Sequence, residues 1–405
     1  MTLEDISSII RKVQEKHRRV PEIVKGMNVP YYRRGEMAIP AFKMKKGGNP
    51  ATDGRDTSVK LMKKVSDLPV DFFFYDLEDA SPDHAEYKDF ARQFVAEVLT
   101  TTAFGNRVVA FRPNNIRTEY FEKDIVHIVS HAGDKLNAIV IPKTEHAEEV
   151  QDIIDIVRRI QNIAGHTNRI SFEVLIESPK AFIEAEQIAS IDGVTALIFG
   201  AWDFARTTGA RVEADTWLDD QAFARQRLPI IAAAYGKEAV DAVTGTLPIR
   251  PKTPEGITTE EYNHALTQNP DTIDAGKFGS QFVEQLRLRN HALELAERDA
   301  LSARRCGYAA KWILHPDQVT PIQSAWTPTR NRALEALKLA ADYTRAARNG
   351  SGAEVDGNRL ADKAVVGTDW WIVLAGMRSG VLANSDIEAT GLTFKQLERT
   401  VVTHD

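Results

Sequence analysis

Nine side chains able to bind a cation, hold an anion or carry a proton stand where short apolar runs of this chain stop: Glu78, Asp79, Arg112, Asn114, Lys143, Glu177, Asp203, Asp241 and His315. Glu177 and Asp203 each follow a strongly apolar run. Two carboxylates brought together without a cysteine or a histidine pair suit a hard divalent cation, Mg2+ above all, with water and substrate completing its shell. The alternative is that each pairs with an arginine or lysine. Arg112, beside Asn114, offers a planar fork for bidentate capture of a substrate carboxylate or for a salt bridge to Glu78 or Asp79. Lys143 offers a point charge that balances the acids, and its spacing alone leaves a Schiff-base role open. His315 reads as a hydrogen-bonding residue of a strand end rather than a ligand. Trp202 and Trp312 read as packing.

These residues act together only if the fold gathers them. The stretch from Val70 to Asp79, VDFFFYDLED, is a continuous apolar run closed by Asp76, Glu78 and Asp79, the pattern of a strand buried on both faces. Taken alone, its acids read more simply as a charged turn than as a site. Strand alternation puts Asp76 and Glu78 on one face and Asp79 on the other, with Asp76 as structural support.

The same unit recurs along the chain. Apolar strands are expected at Met37–Phe42, Val70–Asp76, Arg107–Asn114, Leu136–Lys143, Ile170–Glu177, Val194–Asp203, Glu238–Thr244 and Lys311–Pro316, mostly separated by segments of helical spacing. Eight such units predict a (β/α)8 TIM barrel, an α/β fold whose strand ends meet on one face. Around the barrel, taken as residues 37–328, stand an N-terminal helical arm (1–36) and a C-terminal helical extension or lid (329–405). A long insertion after strand seven (about 246–280), rich in proline, reads as a lid or substrate loop, or else as a disordered or oligomer-contacting segment.

Composition narrows the function. A net charge of -6 argues against a nucleic-acid or membrane-surface role, which needs basic patches. One cysteine, Cys306, leaves no intrachain disulfide or thiolate metal cluster. No membrane span or signal peptide is legible, so a cytoplasmic protein is the expectation.

Several segments, taken in order, resemble the HpcH/HpaI aldolase and citrate lyase β-subunit family, which includes malyl-CoA and citramalyl-CoA lyases. They are Asp76-Leu-Glu-Asp-Ala80 with Lys88 and Ala91-Arg92, Phe111-Arg-Pro-Asn114, Ile141-Pro-Lys143, Ile176-Glu177, Phe199-Gly-Ala-Trp-Asp203 and Gly307–Pro316. The resemblance implies that Glu177 and Asp203 hold Mg2+, that Arg112 holds a keto-acid carboxylate with Asn114 and Lys143 nearby, and that Glu78 and Asp79 stand beside the metal. It implies a carbon–carbon lyase of the EC 4.1.3 type, or the reverse condensation, joining a 2-keto acid to the enolate of an acyl-CoA in malyl-, citramalyl- or citryl-type chemistry. Asp356, in Val355-Asp-Gly357, resembles an aspartate that acts from a neighbouring subunit, so a homotrimer or homohexamer is implied. The chain departs from the family in its additions and in Lys46-Gly-Gly-Asn-Pro50, which only echoes a loop that admits CoA. Open alternatives are therefore a thioester hydrolase or malate-synthase-like variant, a CoA-independent metal aldolase, and a non-catalytic keto-acid-binding subunit of a biosynthetic cluster.

Overall fold

A computed structural model describes residues 33–402 apart from 66, 211–220, 357 and 358, together with residue 12. The expected N-terminal helical arm lies almost wholly outside the described residues. These residues form two compact units, one within Tyr31–Trp326 and one from Thr327 on.

The first unit is a closed barrel of eight parallel strands in sequential order, β1 (Gly35–Pro40), β2 (Phe72–Asp76), β3 (Val108–Arg112), β4 (Ala138–Ile141), β5 (Ser171–Ile176), β6 (Val194–Phe199), β7 (Glu238–Asp241) and β8 (Ala310–Ile313). The (β/α)8 expectation holds. Alternation explains why both faces of each strand are apolar. Phe72, Phe74, Val108, Ala110, Val140 and Ile198 fill the barrel interior, whereas Phe73, Tyr75, Val109 and Phe111 pack outward into the helix layer. Those helices are amphipathic. In Ala147–Ala164 the buried positions Val150, Ile153, Ile154, Val157 and Gln161 recur at helical spacing, and Gly165, at φ 75°, ends the helix in a left-handed turn.

Several expectations need correction. The strand-six run ends at Phe199, so Asp203 lies in the first turn of the helix Ala201–Thr208 rather than on a strand. Asp241 does end β7, but its side chain leaves the mouth: Arg225 and Lys311 hold it in a fully buried network that includes Asp299. The expected insertion is folded. It carries the helix Thr259–Ala265, started by a reciprocal cap between Thr258 and Glu261, and a small core of Ala265, Leu266, Phe282 and Leu286.

The second unit holds the helices Arg330–Arg348 and Lys363–Arg378, packed through Ala336, Leu337, Ala340, Trp370, Val373 and Leu374. Within the expected C-terminal helical extension there is an antiparallel hairpin of β9 (Ala353–Asp356) and β10 (Arg359–Asp362), and the following helix starts at Lys363. Gly357-Asn358 in the sequence are residue types that favour a two-residue hairpin connection. No helix among the described residues is long and apolar enough to cross a membrane.

Inside the barrel, at its N-terminal end, the Arg33 guanidinium meets Glu36 (2.8 Å), Glu173 and Glu238 (2.8 Å). Trp312 Nε1 donates to Glu36 at 3.0 Å. Three carboxylates share one cation in a sealed space, so burial, only partly offset by Arg33, pushes Glu173 well above the usual carboxylate range and Glu36 upward as well. A group whose folded pKa is raised contributes stability in full below its unfolded value of about 4.3, and that contribution is lost as pH rises through the folded pKa. Urea unfolding is therefore expected to give lower stability at alkaline than at mildly acidic pH, with the slope reduced in Glu173→Gln. Arg33→Met, which takes the buried cation away from Glu36 and Glu173, is expected to cost about 3–5 kcal/mol. A Glu173→Gln protein with the wild-type pH slope would contradict this account.

Candidate active site

The site is built at the other end of the barrel. Register pairs Asp76 with Arg112 across β2 and β3, so both side chains point inward at the mouth. Arg112 Nε and Nη2 donate to Asp76 at 2.8 and 2.6 Å, a buried bidentate pair, and Arg112 Nη1 lies 3.3 Å from Glu78. The guanidinium also stacks over Trp312 (5.5 Å) and Phe74 (6.0 Å), which anchor it to the barrel core. Asp76 is thus the principal partner of Arg112, rather than Glu78 or Asp79 as the sequence suggested. Asp76 does a second job, accepting from the backbone N–H of Glu78 and Ala80 and so shaping the turn that carries Glu78 and Asp79. Lys88 ties down the same turn from below through the carbonyls of Leu77, Glu78 and Ser81.

Lys143 is the hub on the opposite side. Its Nζ stands 2.6 Å from Asp203, 3.1 Å from Asp79, 3.8 Å from Glu177 and 4.0 Å from Glu78. It is the one non-glycine residue at positive φ (51°) among the described residues, a conformation costing on the order of 1–3 kcal/mol. That backbone turn aims the Lys143 N–H at Glu177 Oε1, 2.5 Å away. Burial works against the ammonium, but Glu177, Glu78, Asp203 and Asp79 outweigh it and raise the lysine further. A lysine held so firmly in its charged form is a poor amine nucleophile, which disfavours the Schiff-base reading left open above.

The acids feel the same crowding. Burial pushes Glu78 up to about 8, against the pull of Arg112 and with a further push from Asp79. Burial likewise carries Glu177 to about 7, opposed by Lys143 and Arg112. At Asp79, which is 56% exposed, Arg112 and Lys143 outweigh burial and hold the carboxyl below its usual range. Arg206, which sequence reasoning did not single out, reaches Asp203 at 2.7 Å from one turn along the same helix.

The structure therefore gathers Glu78, Asp79, Arg112, Lys143, Glu177 and Asp203 at one mouth. It does not gather Asn114, whose side-chain amide donates to Asp124 (2.6 Å) behind β3, where Arg92 holds the same carboxylate. His315 caps the turn after β8, its ring nitrogen accepting from Asp317 N at 3.1 Å. Asp356 belongs to the C-terminal unit, and its side chain lies outside the described residues.

Whether this mouth suits a divalent cation can be judged from its donors. Five carboxylates, Asp76, Glu78, Asp79, Glu177 and Asp203, crowd round Arg112, Lys143 and Arg206, and the neighbouring acids add to the burial that pushes Glu78 and Glu177 up. Glu177 and Asp203 already converge on one positive centre, the Lys143 ammonium. Among the described residues no three or more His, Cys, Asp or Glu side chains group closely enough to enclose an ion. The fit is to a hard cation held by two carboxylates, with most of its shell left to water and substrate.

Residues 56–251 match the family model described as HpcH/HpaI aldolase/citrate lyase, so the resemblance read from the sequence is shown. An L-malyl-CoA/beta-methylmalyl-CoA lyase of Cereibacter sphaeroides is 27% identical over 323 residues, covering 76% of this chain and 87% of that protein. A (3S)-malyl-CoA thioesterase of the same species is 24% identical over 309 residues, with the same coverage. Among solved structures, a citrate lyase from Burkholderia xenovorans covers 91% of this chain and 99% of its own at TM-score 0.63 and 17% identity. The CitE protein of Mycobacterium tuberculosis, in complex with magnesium, acetoacetate and coenzyme A, covers 85% and 98% at TM-score 0.54 and 18% identity. At these identities the structural matches show the shared barrel fold. The sequence relatives are a lyase and a thioesterase of malyl-CoA.

Gly200 gives this geometry a direct test. A Cβ there would stand 2.3 Å from Glu177 Cβ, so only glycine lets β6 pass so close to the acid. Gly200→Ala is expected to lower unfolding stability by about 1–3 kcal/mol, and a variant as stable as the parent would show that Glu177 is not held where described.

Proposed function

We propose that this chain, whose barrel carries the HpcH/HpaI aldolase/citrate lyase match, is a Mg2+-dependent carbon–carbon lyase. It cleaves, or in reverse forms, the bond between a 2-keto acid and the α-carbon of an acyl-CoA, in malyl- or citramalyl-type chemistry. The observation that supports this most is the convergence of Glu177 and Asp203 with Arg112 and Lys143 on one acid-rich mouth. Glu177 and Asp203 would hold the ion, whose chemistry when bound is Lewis-acid stabilisation of negative charge on the keto acid's oxygens.

The chain's own residues supply the rest. Arg112, braced on its Nε side by Asp76, presents its Nη1 side to a substrate carboxylate. Lys143 adds positive charge where oxygen gains negative charge during bond cleavage. Glu78 and Asp79 fix Arg112 and Lys143 in place. In the cleavage direction the hydroxyl gives up its proton as the carbinol carbon becomes a carbonyl. The electron pair of the broken bond stays on the acyl-CoA α-carbon as an enolate, which then takes up a proton. Asp356, contributed by a neighbouring subunit of a trimer or hexamer, is our candidate for that final proton.

Hydrolysis of the same thioester is a second reading, motivated by the similarity to a malyl-CoA thioesterase. Release of free CoA alongside an intact hydroxy acid would favour it over lyase chemistry.

Calorimetric titration with glyoxylate, pyruvate and oxaloacetate, with and without Mg2+, checks the main reading. Binding is expected only with the metal, and Glu177→Gln or Asp203→Asn should abolish it. Turnover in these variants should drop by roughly 10^2–10^3-fold or more. Metal-independent binding would contradict the proposal.

A further inference from the structure

The residue before Asp203 stands out among the mouth's neighbours. Trp202 is 45% exposed, unusual for the largest apolar side chain at the end of a barrel strand. It is nonetheless fixed. The indole lies against Gly245, just beyond β7, so closely that a Cβ there would be 2.7 Å from its Cζ2. Trp202 thus spans the rim between the ends of β6 and β7.

The loop that follows Gly245 continues the apolar character with Leu247 (39% exposed) and Ile249 (51% exposed). The folded insertion holds this loop still. Gln285 donates to the Ile249 carbonyl (3.3 Å) and Tyr262 Oη donates to the Pro251 carbonyl (2.7 Å). Arg250 binds Asp317 through both Nε (2.9 Å) and Nη2 (2.5 Å). Among the described residues, two cations flank this sector in ion pairs, Arg206 with Asp203 and Arg250 with Asp317.

Charge-bearing groups follow one another round the mouth in strand order: Arg112 after β3, Lys143 after β4, Glu177 after β5 and Asp203 after β6. A keto acid with its carboxylate at Arg112 and its carbonyl towards Glu177 and Asp203 would send its remaining substituent onward, into the sector of β6 and β7. Among the described residues the exposed apolar group of that sector is the Trp202 indole.

We propose that Trp202, backed by Gly245 and the pinned loop, is the specificity-determining wall for the substituent of the 2-keto acid, selecting a short alkyl group over hydrogen or a second carboxylate. This rests on the keto-acid reading above and narrows it to pyruvate-like acids. Burial of each alkyl carbon against the indole is worth roughly a 4-fold gain in affinity. A second carboxylate would lose hydration against the indole.

The test is calorimetric titration of glyoxylate, pyruvate, 2-oxobutyrate and oxaloacetate in saturating Mg2+, on the wild type, Trp202→Ala and Trp202→Phe. The wild type is expected to bind pyruvate roughly 4-fold tighter than glyoxylate, 2-oxobutyrate tighter still, and oxaloacetate more weakly than pyruvate. Trp202→Ala should erase the alkyl preference while leaving glyoxylate within about 2-fold, and Trp202→Phe should keep part of it. Equal losses for all four acids in both variants, or a wild type that prefers oxaloacetate, would overturn the assignment of Trp202 while leaving the keto-acid reading intact. Should the alanine variant fail to fold, the phenylalanine variant and the wild-type ranking decide alone. A wild type that binds none of the acids overturns both readings.

Discussion

The buried pairing of Arg112 with Asp76 is the contact on which the mouth of this barrel depends. A carboxylate carried to the end of a buried strand costs several kcal/mol in lost hydration unless a cation with matching geometry meets it. The fork of Arg112 meets Asp76 on two atoms, leaving its third nitrogen towards Glu78. Asp76 in turn holds the backbone of the turn that presents Glu78 and Asp79. One ion pair therefore sets the position of three acids and the orientation of the one guanidinium facing them.

The two ends of the barrel solve the same electrostatic problem differently. Among the described residues each end gathers more carboxylates than cations. At the N-terminal end the excess is sealed with Arg33, so the remaining charge is relieved by holding protons on acids such as Glu173. At the C-terminal end Asp79, Lys143 and Asp203 keep part of their surface open. There burial raises Glu78 and Glu177 as well, but the same excess of acid can also be met by a divalent ion arriving from solution, and Gly200 and the strained backbone of Lys143 position Glu177 for that purpose. What is a matter of stability at one end becomes binding capacity at the other.

Much of this was legible in the sequence because strands buried on both faces read as unbroken apolar runs, and because the first polar residue after each run marks a mouth. The logic failed where it ignored alternation or the point at which a strand stops. Asp241 ends β7 but faces the helix layer; Asn114, which alternation would put on the face of Arg112, turns instead to Asp124 because β3 has already ended at Arg112. Registering β2 on β3 would have paired Asp76 with Arg112 directly. Arg33 was hidden because it stood in a segment assigned to a helical arm, and only closure of the barrel brings Glu36, Glu173 and Glu238 around it. Trp202 and Gly245 were out of reach for a different reason. Their contact joins two loops whose spacing no local pattern encodes, so the indole read as simple packing.

The central claim is that Glu177 and Asp203 hold a divalent cation to which a 2-keto acid binds, with Arg112 on the acid's carboxylate. A crystal structure of the protein soaked with Mn2+ and pyruvate tests it most directly, because the metal is identified by anomalous scattering. The account predicts one anomalous peak within about 2.0–2.3 Å of an oxygen from each of Glu177 and Asp203, with the pyruvate carboxylate against Arg112. An anomalous peak elsewhere, or pyruvate bound covalently to Lys143 with no metal beside it, would contradict the account.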